Sequence, residues 1–176
     1  AQHRSIEASL VARENGLFSG IFPIDGSRTE MDSYFSFVEG IAQDGAMDAL
    51  VIADTYGVLS PHSAGYWVKE VKKRIDKPLD VHFHNNFGMA TANTIAGVVN
   101  GADFVNTTVM GLGEEAGNAP LEEVAVALKA QYGIDLGIDY SMLCELSQLV
   151  SELSGEKIPP SRPFIGNRIY DIEAGI

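Results

Sequence analysis

Hydrophobic residues along this chain fall into four short runs, and a segment with helical spacing follows each of them. The runs are LFSGIFPID (17–25), DALVIAD (48–54), PLDVHFHN (78–85) and ADFVNTTV (102–109). Their near-continuous apolar character is typical of strands buried on both faces, as in a parallel sheet covered by helices. The pattern therefore predicts four successive strand–helix units.

The segments between the runs carry the spacing and the end signals of helices. Apolar residues recur at helical intervals after the first run: Met31, Tyr34, Phe35, Val38 and Ile41. Ser60 and Pro61 suit the N-cap and first turn of the next helix, and Gly133 suits the end of the last. One further helix, SIEASLVARENG, precedes the first run, so the predicted order is α–(βα)4.

Polar side chains lie at the C-terminal ends of all four predicted strands: Asp25, Asp54 with Thr55, His82 with His84, and Thr107 with Thr108. In a (β/α)8 barrel these ends converge on one mouth, where active sites lie. A doubly wound sheet also fits the order of elements, but four strands that deliver polar groups to one rim favour the barrel. Since a closed barrel needs eight strands, residues 1–132 are interpreted as half of an α/β TIM barrel.

From residue 133 onward the strand–helix rhythm stops. The segment DYSMLCELSQLVSELSG (139–155) predicts one amphipathic helix that ends at Gly155. Its apolar side is formed by Met142, Leu143, Leu146, Leu149, Val150 and Leu153. The remainder, 156–176, contains three prolines and no clear periodicity. We expect residues 133–176 to form a helical appendage beside the barrel, the start of a linker subdomain.

Composition restricts the possible partners and location. The chain has 176 residues and a formal charge of -12, with 24 acidic residues and 12 basic ones. Such a field repels a phosphate backbone, so nucleic acid is not an expected partner. No apolar run approaches the length of a membrane span, and the first residues lack the features of a signal peptide. Cys144 is the only cysteine and is expected in buried packing, and a cytoplasmic location is expected.

Two histidines stand two positions apart at the end of the third run. On a strand, His82 and His84 point to the same face, about 6.6 Å apart along the chain. Their imidazole nitrogens can therefore converge on one metal ion. The alternative is a pair of ordinary polar residues at a strand end.

A glycine-rich loop, GLGEEAGN (111–118), follows the next strand. Its glycines, Gly111, Gly113 and Gly117, permit positive φ and a close approach of the backbone. Asn118 precedes a helix, so it suits either an N-cap or an amide oxygen ligand for a cation. No Gly-Lys-Ser/Thr follows, which excludes a phosphate-binding P-loop.

The segment VHFHNNFGMATANTIAGVVNGADFVNTTVMGLGEEAGNAPLEEV (81–124) closely resembles the metal-dependent acyl-transfer and lyase barrels. That family includes 2-isopropylmalate, homocitrate and citramalate synthases and 3-hydroxy-3-methylglutaryl-CoA (HMG-CoA) lyase. Its pattern is roughly H-x-H-N-D-x-G-x-A-x-A-N, then G-x-G-E-R-A-G-N-A-x-L-E-E. IADTYGVLSP and DGSRTEMD resemble two further segments, and residues after 132 resemble the synthase branch. The resemblance implies the last four βα units of the barrel.

The resemblance also implies a site and a reaction. A divalent metal (Zn, Mn or Mg) would be held by His82, His84 and Asn118, together with a carboxylate from a first-strand motif that this sequence lacks. Thr55 would hydrogen-bond the substrate carboxylate, and Asp54 would act in catalysis or organise the site. The metal would polarise a 2-oxo acid, which the enolate of an acyl-CoA (acetyl-CoA) attacks. By analogy with the synthases, a homodimer is expected.

Three departures from the family pattern leave the oxo acid and the reaction direction open. Asn86 stands where the family has Asp, Glu115 stands where it has Arg, and Ile24 precedes Asp25 where the synthases often have Glu. The glycine-rich loop contains no cysteine, which argues against HMG-CoA lyase itself. The main hypothesis is a synthase that performs a Claisen condensation. The alternatives are an aldolase or lyase that cleaves a hydroxy acid without CoA, and a catalytically inactive relative.

Overall fold

The computed structural model describes residues 1–172 and contains the predicted α–(βα)4 order. The strands are β1 (Gly20–Ile21), β2 (Ala49–Asp54), β3 (Leu79–Phe83) and β4 (Phe104–Val105). The helices are α1 (Gln2–Glu14), α2 (Met31–Asp44), α3 (Pro61–Arg74), α4 (Ala90–Val99), α5 (Leu121–Tyr132) and α6 (Leu143–Ser154). The end of the predicted appendage, residues 173–176, lies outside the described residues.

The four strands form one parallel sheet in the order β1-β2-β3-β4. Each strand therefore pairs with the next one along the chain, as consecutive strands of a βα barrel do. The predicted α/β architecture is confirmed. β1 is shorter than its apolar run because Pro23 has no N–H group to donate to a ladder.

The core lies between the sheet and the helices. Every residue of β2 is buried, as expected for a central strand covered on both faces. Along β3 the side chains alternate: Leu79, Val81 and Phe83 are buried, whereas Asp80 and His82 are half-buried on the opposite face. This alternation turns the functional candidates away from the helix layer.

Local end signals explain where two of the helices begin and end. Ser60 caps α3, because its Oγ accepts from the backbone N–H of Ser63 at 3.3 Å while Ser63 Oγ accepts from the N–H of Ser60 at 2.8 Å. Gly133 ends α5 in the left-handed conformation, with φ of 68°. Both predicted end positions are confirmed.

The region after the sheet differs from its prediction. A short 3-10 turn (Tyr140–Met142) replaces the first turn of the predicted helix, and α6 follows it. The turn Val109–Gly111 packs against α6. The apolar side of α6 is only partly covered: Leu143 is buried, whereas 51% of Leu149 and 79% of Leu153 are accessible to solvent. Cys144 is exposed rather than buried, so that expectation was wrong. None of the helices within residues 1–172 is long and apolar enough to cross a membrane.

Candidate metal centre

The two histidines at the end of β3 meet through their side chains. His82 lies on β3, and His84 follows the strand end in an isolated bridge with Asn118. Their Nε2 atoms are 3.1 Å apart, and their ring centroids are 5.1 Å apart. His84 is buried and His82 is half-buried. The separation of two positions along the strand direction has thus brought two imidazole nitrogens within 3.1 Å of each other.

The distance between the two nitrogens is compatible with a shared ion. Nitrogens that each lie about 2.0–2.1 Å from one metal are 3.1 Å apart when the N–metal–N angle is about 95–100°. The same distance also suits one N–H···N hydrogen bond between neutral rings. Burial, and next the proximity of His84, lowers the pKa of His82 and favours the neutral ring that a metal requires.

Asn118 provides the third candidate donor. Its Oδ1 is buried and has no hydrogen-bond partner among residues 1–172, and the same is true of Nδ1 of His84. Buried polar atoms are nearly always paired, so an orphaned amide oxygen beside the histidine strand fits a metal ligand. The backbone holds this position: Asn118 N–H donates to the carbonyl of Gly111 at 3.0 Å, and Asn85 N–H donates to that of Gly117 at 2.8 Å.

Two glycines of the glycine-rich loop lie where there is no room for a side chain near Asn118. A Cβ atom at Gly113 would lie 2.9 Å from the Asn118 side chain. One at Gly117, where φ is +85°, would lie 2.1 Å from the carbonyl oxygen of Gly111. Only glycine lets the loop fold back this closely.

The donor set in this part of the chain is small. Within residues 1–172 there is no group of three or more His, Cys, Asp or Glu side chains that could hold a metal. Two imidazoles and one amide fit a divalent ion in type, and a backbone bridge holds Asn118 beside His84, but a full site needs at least one more ligand. The residues present therefore fit part of a metal site.

Asp54 is fully buried at the end of β2 and does not open to the mouth. Its carboxylate accepts from Ser27 Oγ at 2.6 Å, from Val58 N–H at 3.1 Å and from Leu59 N–H at 2.8 Å. These bonds fasten the loop after β1 to the loop after β2. Of the two roles expected for Asp54, the geometry supports organisation of the site.

Thr55 lies beside Asp54 and connects to the same neighbouring loop. Its Oγ1 accepts from the backbone N–H of Asp25 at 2.8 Å. Asp25 in turn binds Arg28 through two hydrogen bonds of 2.7 and 2.6 Å, and the bond from Arg28 lowers the pKa of Asp25. Because a hydroxyl both accepts and donates, the O–H group of Thr55 keeps its capacity to donate to a substrate.

Two neighbours of His82 were missed at the level of sequence. Asp80 precedes His82 by two positions and so shares its face of β3; its Oδ2 accepts from Asn106 Nδ2 at 2.5 Å. Burial raises the pKa of Asp80. The ring of Phe22 lies edge-on to His82 at 5.2 Å. Strand periodicity could have found Asp80, whereas Phe22 comes from a separate strand end and carries no such signal.

The glycine-rich loop also contacts the loop after β3 through side chains. Asn86 Nδ2 donates a hydrogen bond to Glu115 Oε2. Asn86 and Glu115 are two of the three positions at which the sequence departs from the family pattern, so these two departures are in direct contact.

Comparison with known proteins shows the family. The family model described as HMGL-like matches residues 2–150. The chain belongs to the HMGL-like family. Among curated relatives, it is 45% identical to 2-isopropylmalate synthase 2 of Caldanaerobacter subterraneus, over 97% of this chain and 44% of that protein. It is 44% identical to homocitrate synthase 1 of Nostoc sp., over 94% of this chain and 44% of that protein.

A solved structure shows the same fold for this HMGL-like chain. HMG-CoA lyase of Bacillus subtilis superposes with a TM-score of 0.77 at 20% identity, over 90% of this chain and 57% of the lyase. The prediction of a TIM-barrel family fold, of which this chain forms part, is thereby confirmed. The chain spans less than half the length of the two synthases.

Proposed function

We propose that this HMGL-like chain carries the metal-binding part of an acyltransferase that condenses acetyl-CoA with a 2-oxo acid. The observation that carries the proposal is the convergence of His82 and His84, with Nε2 atoms 3.1 Å apart. The identity of 45% to a 2-isopropylmalate synthase supports the synthase reaction over others on the same scaffold. Which 2-oxo acid is used, and whether the metal is Zn, Mn or Mg, is for experiment to decide.

Each candidate residue has a role that its contacts support. His82 and His84 would hold the metal through neutral ring nitrogens, and Asn118 through its orphaned amide oxygen. When bound, the ion supplies a Lewis acid for the keto carbonyl of the substrate. Thr55 would donate its hydroxyl proton to the substrate carboxylate. Asp54 would keep the loops around these groups in place.

The proposed reaction forms one carbon–carbon bond and breaks one thioester. The acetyl methyl group loses a proton to give the enolate, whose carbon bonds to the keto carbon, and the keto oxygen takes up a proton, so this step releases no net proton. Water then cleaves the thioester and releases a carboxylic acid and free CoA thiol.

Thiol release tests this proposal. The complete polypeptide would be incubated with acetyl-CoA, Mn²⁺ and each member of a panel of 2-oxo acids, and free thiol would be measured. We expect release with at least one 2-oxo acid, no release without it, and loss of release in His82→Ala. Release of pyruvate from 4-hydroxy-2-oxo acids without CoA would instead identify an aldolase. A protein inactive in both assays would be a catalytically dead relative.

We further propose that the protein is a cytoplasmic homodimer. The exposed leucines of α6, Leu149 and Leu153, support an interface, since large apolar side chains rarely stay open to water in groups. Light scattering on the purified protein tests this state: a dimer mass supports it, and a monomer mass at micromolar concentration contradicts it.

A further inference from the structure

Both polar groups of the Met110 backbone are hydrogen-bonded to side chains. Its N–H group donates to Glu122 Oε2 at 3.1 Å, and its carbonyl accepts from Arg162 Nη2 at 3.1 Å. Met110 has a φ of 62°, a left-handed conformation that non-glycine residues seldom adopt. Such a conformation persists only where the surroundings hold it, and here a glutamate and an arginine do so.

Arg162 also joins two acidic side chains at the start of α5. Its Nε lies 3.1 Å from Glu123 Oε1 and 3.9 Å from Glu122 Oε1. Glu122 is almost fully buried, so an unpaired charge there would be costly. Glu123 Oε2 accepts a further bond from Thr91 Oγ1 at 2.8 Å on α4. The guanidinium therefore links the segment after α6 to α5, and through Glu123 to the helix that follows the histidine strand.

The backbone next to Met110 is hydrogen-bonded to the candidate metal ligand Asn118. Gly111, the next residue after Met110, accepts from the N–H of Asn118 at 3.0 Å. The two segments are so close that a Cβ at Gly111 would lie 2.9 Å from the carbonyl oxygen of Asn118 and 3.2 Å from Arg162 Nη2. A displacement of Met110 would therefore move Gly111 and, through its hydrogen bond, Asn118.

We propose that Arg162 is a positioning residue for the metal centre: it fixes Met110 and Gly111, and thereby the amide oxygen of Asn118. The inference rests on the proposed function only in taking Asn118 as a ligand. The segment after α6 is then part of the site's support and not only a connection to another region.

The test compares Arg162→Gln, Arg162→Lys and a matched control in the complete polypeptide. The affinity for Mn²⁺ alone is measured by titration, and amide hydrogen exchange is measured at Gly111 and Asn118. Removal of a group that orients a ligand typically costs about 10–100-fold in metal affinity. We expect a loss of that size in Arg162→Gln, with faster exchange at both amides. Lysine keeps the charge beside Glu123 but lacks the guanidinium fork, so Arg162→Lys should recover part of the affinity.

The control is Arg74→Gln. Arg74 is also an arginine between two acidic groups, with Nη1 2.8 Å from Glu70 and Nε 3.8 Å from Glu39, but it lies at the opposite end of α3 from the mouth. It should leave Mn²⁺ affinity within twofold of wild type, whatever it does to the melting temperature. If Arg162→Gln also leaves both affinity and loop exchange unchanged, the proposal is overturned. It is overturned as well if Arg74→Gln lowers the affinity equally.

The two proposals fail in distinguishable ways. If the wild-type protein binds Mn²⁺ but releases no thiol, the synthase reaction is wrong while the Arg162 comparison still stands. If the wild-type protein releases thiol and Arg162→Gln binds Mn²⁺ as tightly as wild type, only the Arg162 proposal is wrong. If the wild-type protein binds no ion, Asn118 is not a ligand and both proposals fail; faster exchange at Gly111 and Asn118 would then show only that Arg162 holds the loop.

Discussion

Asn86 in the loop after β3 donates its side-chain hydrogen bond to Glu115 in the glycine-rich loop. At these positions the family pattern has an aspartate and an arginine, a pair of opposite charges. These two departures therefore lie in one contact: where the family pattern has residues of opposite charge, this chain has a hydrogen bond from an amide to a carboxylate. Because Asn86 and Glu115 link the two loops, their departure from the family pattern does not by itself require a catalytically inactive relative.

The pair can be tested by exchange of its members. Asn86→Asp alone places two carboxylates together, and Glu115→Arg alone places an arginine against an amide. The double variant restores opposite charges. For exposed charges we expect a favourable coupling of about 0.5–1 kcal/mol between the two substitutions, measured by urea unfolding of all four proteins. Additive effects of the two substitutions would show that the side chains do not interact.

Asp54 should prove important for stability. In Asp54→Asn an amide NH2 group would face N–H groups that now donate to the carboxylate, such as that of Leu59. Loss of buried, charge-assisted hydrogen bonds should cost about 2–3 kcal/mol in the free energy of unfolding. Asp76→Asn, at an exposed position, should stay within about 0.5 kcal/mol of wild type. Equal stabilities of the two variants would argue that the bonds to Asp54 contribute little.

The pH dependence of stability should report on Glu122. Burial raises its pKa above the ordinary 4.5, although the N–H of Met110 and the charge of Arg162 oppose the shift and Glu123 adds to it. The folded protein then holds this proton more tightly than the unfolded chain. The stabilisation is fully present below pH 4.5 and is lost as pH rises through the raised pKa.

Glu122→Gln removes this titration, because glutamine stays neutral while its oxygen can still accept from Met110. We therefore expect the variant to gain stability relative to wild type as pH rises above 4.5, as measured by urea unfolding at a series of pH values. Glu156→Gln, at an exposed position, is the control and should show no such trend. A stability difference that stays constant with pH would contradict the shift.

The space at Gly113 predicts an effect on metal binding. Alanine there would place its Cβ 2.9 Å from the Asn118 side chain and force that side chain to move. Gly113→Ala should lower Mn²⁺ affinity by about tenfold or more, as measured by titration. Gly20→Ala is a suitable control, because nothing lies within 4 Å of a Cβ at that position. If both variants bind Mn²⁺ equally well, Asn118 is not a ligand in this geometry.

The order of strands and helices could be predicted from the sequence because the periodicity that encodes it is local. The meeting of His82 and His84 is local as well, since it follows from the two-residue repeat of a strand. The exposed side of α6 could not be predicted in this way. Its apolar pattern, which includes Leu149 and Leu153, indicates a face that can be buried but not what covers it.

Contacts between distant loops were beyond sequence reasoning for a different reason. Asn86 and Glu115 are 29 positions apart, and Arg162 reaches Met110 across 52 positions. No periodicity or end signal relates residues at such separations; only the folded backbone brings them together. The hydrogen bond from Ser27 to Asp54 could not be predicted for the same reason, since Ser27 lies on another loop.

The account depends most on one ion shared by His82, His84 and Asn118. Anomalous diffraction at the zinc edge, from crystals of the complete polypeptide soaked in Zn²⁺, tests this directly. We expect one peak about 2.0–2.1 Å from Nε2 of each histidine, with Oδ1 of Asn118 about 2.0–2.2 Å away. Strong zinc peaks elsewhere, with none between the two imidazole rings, would contradict the assignment.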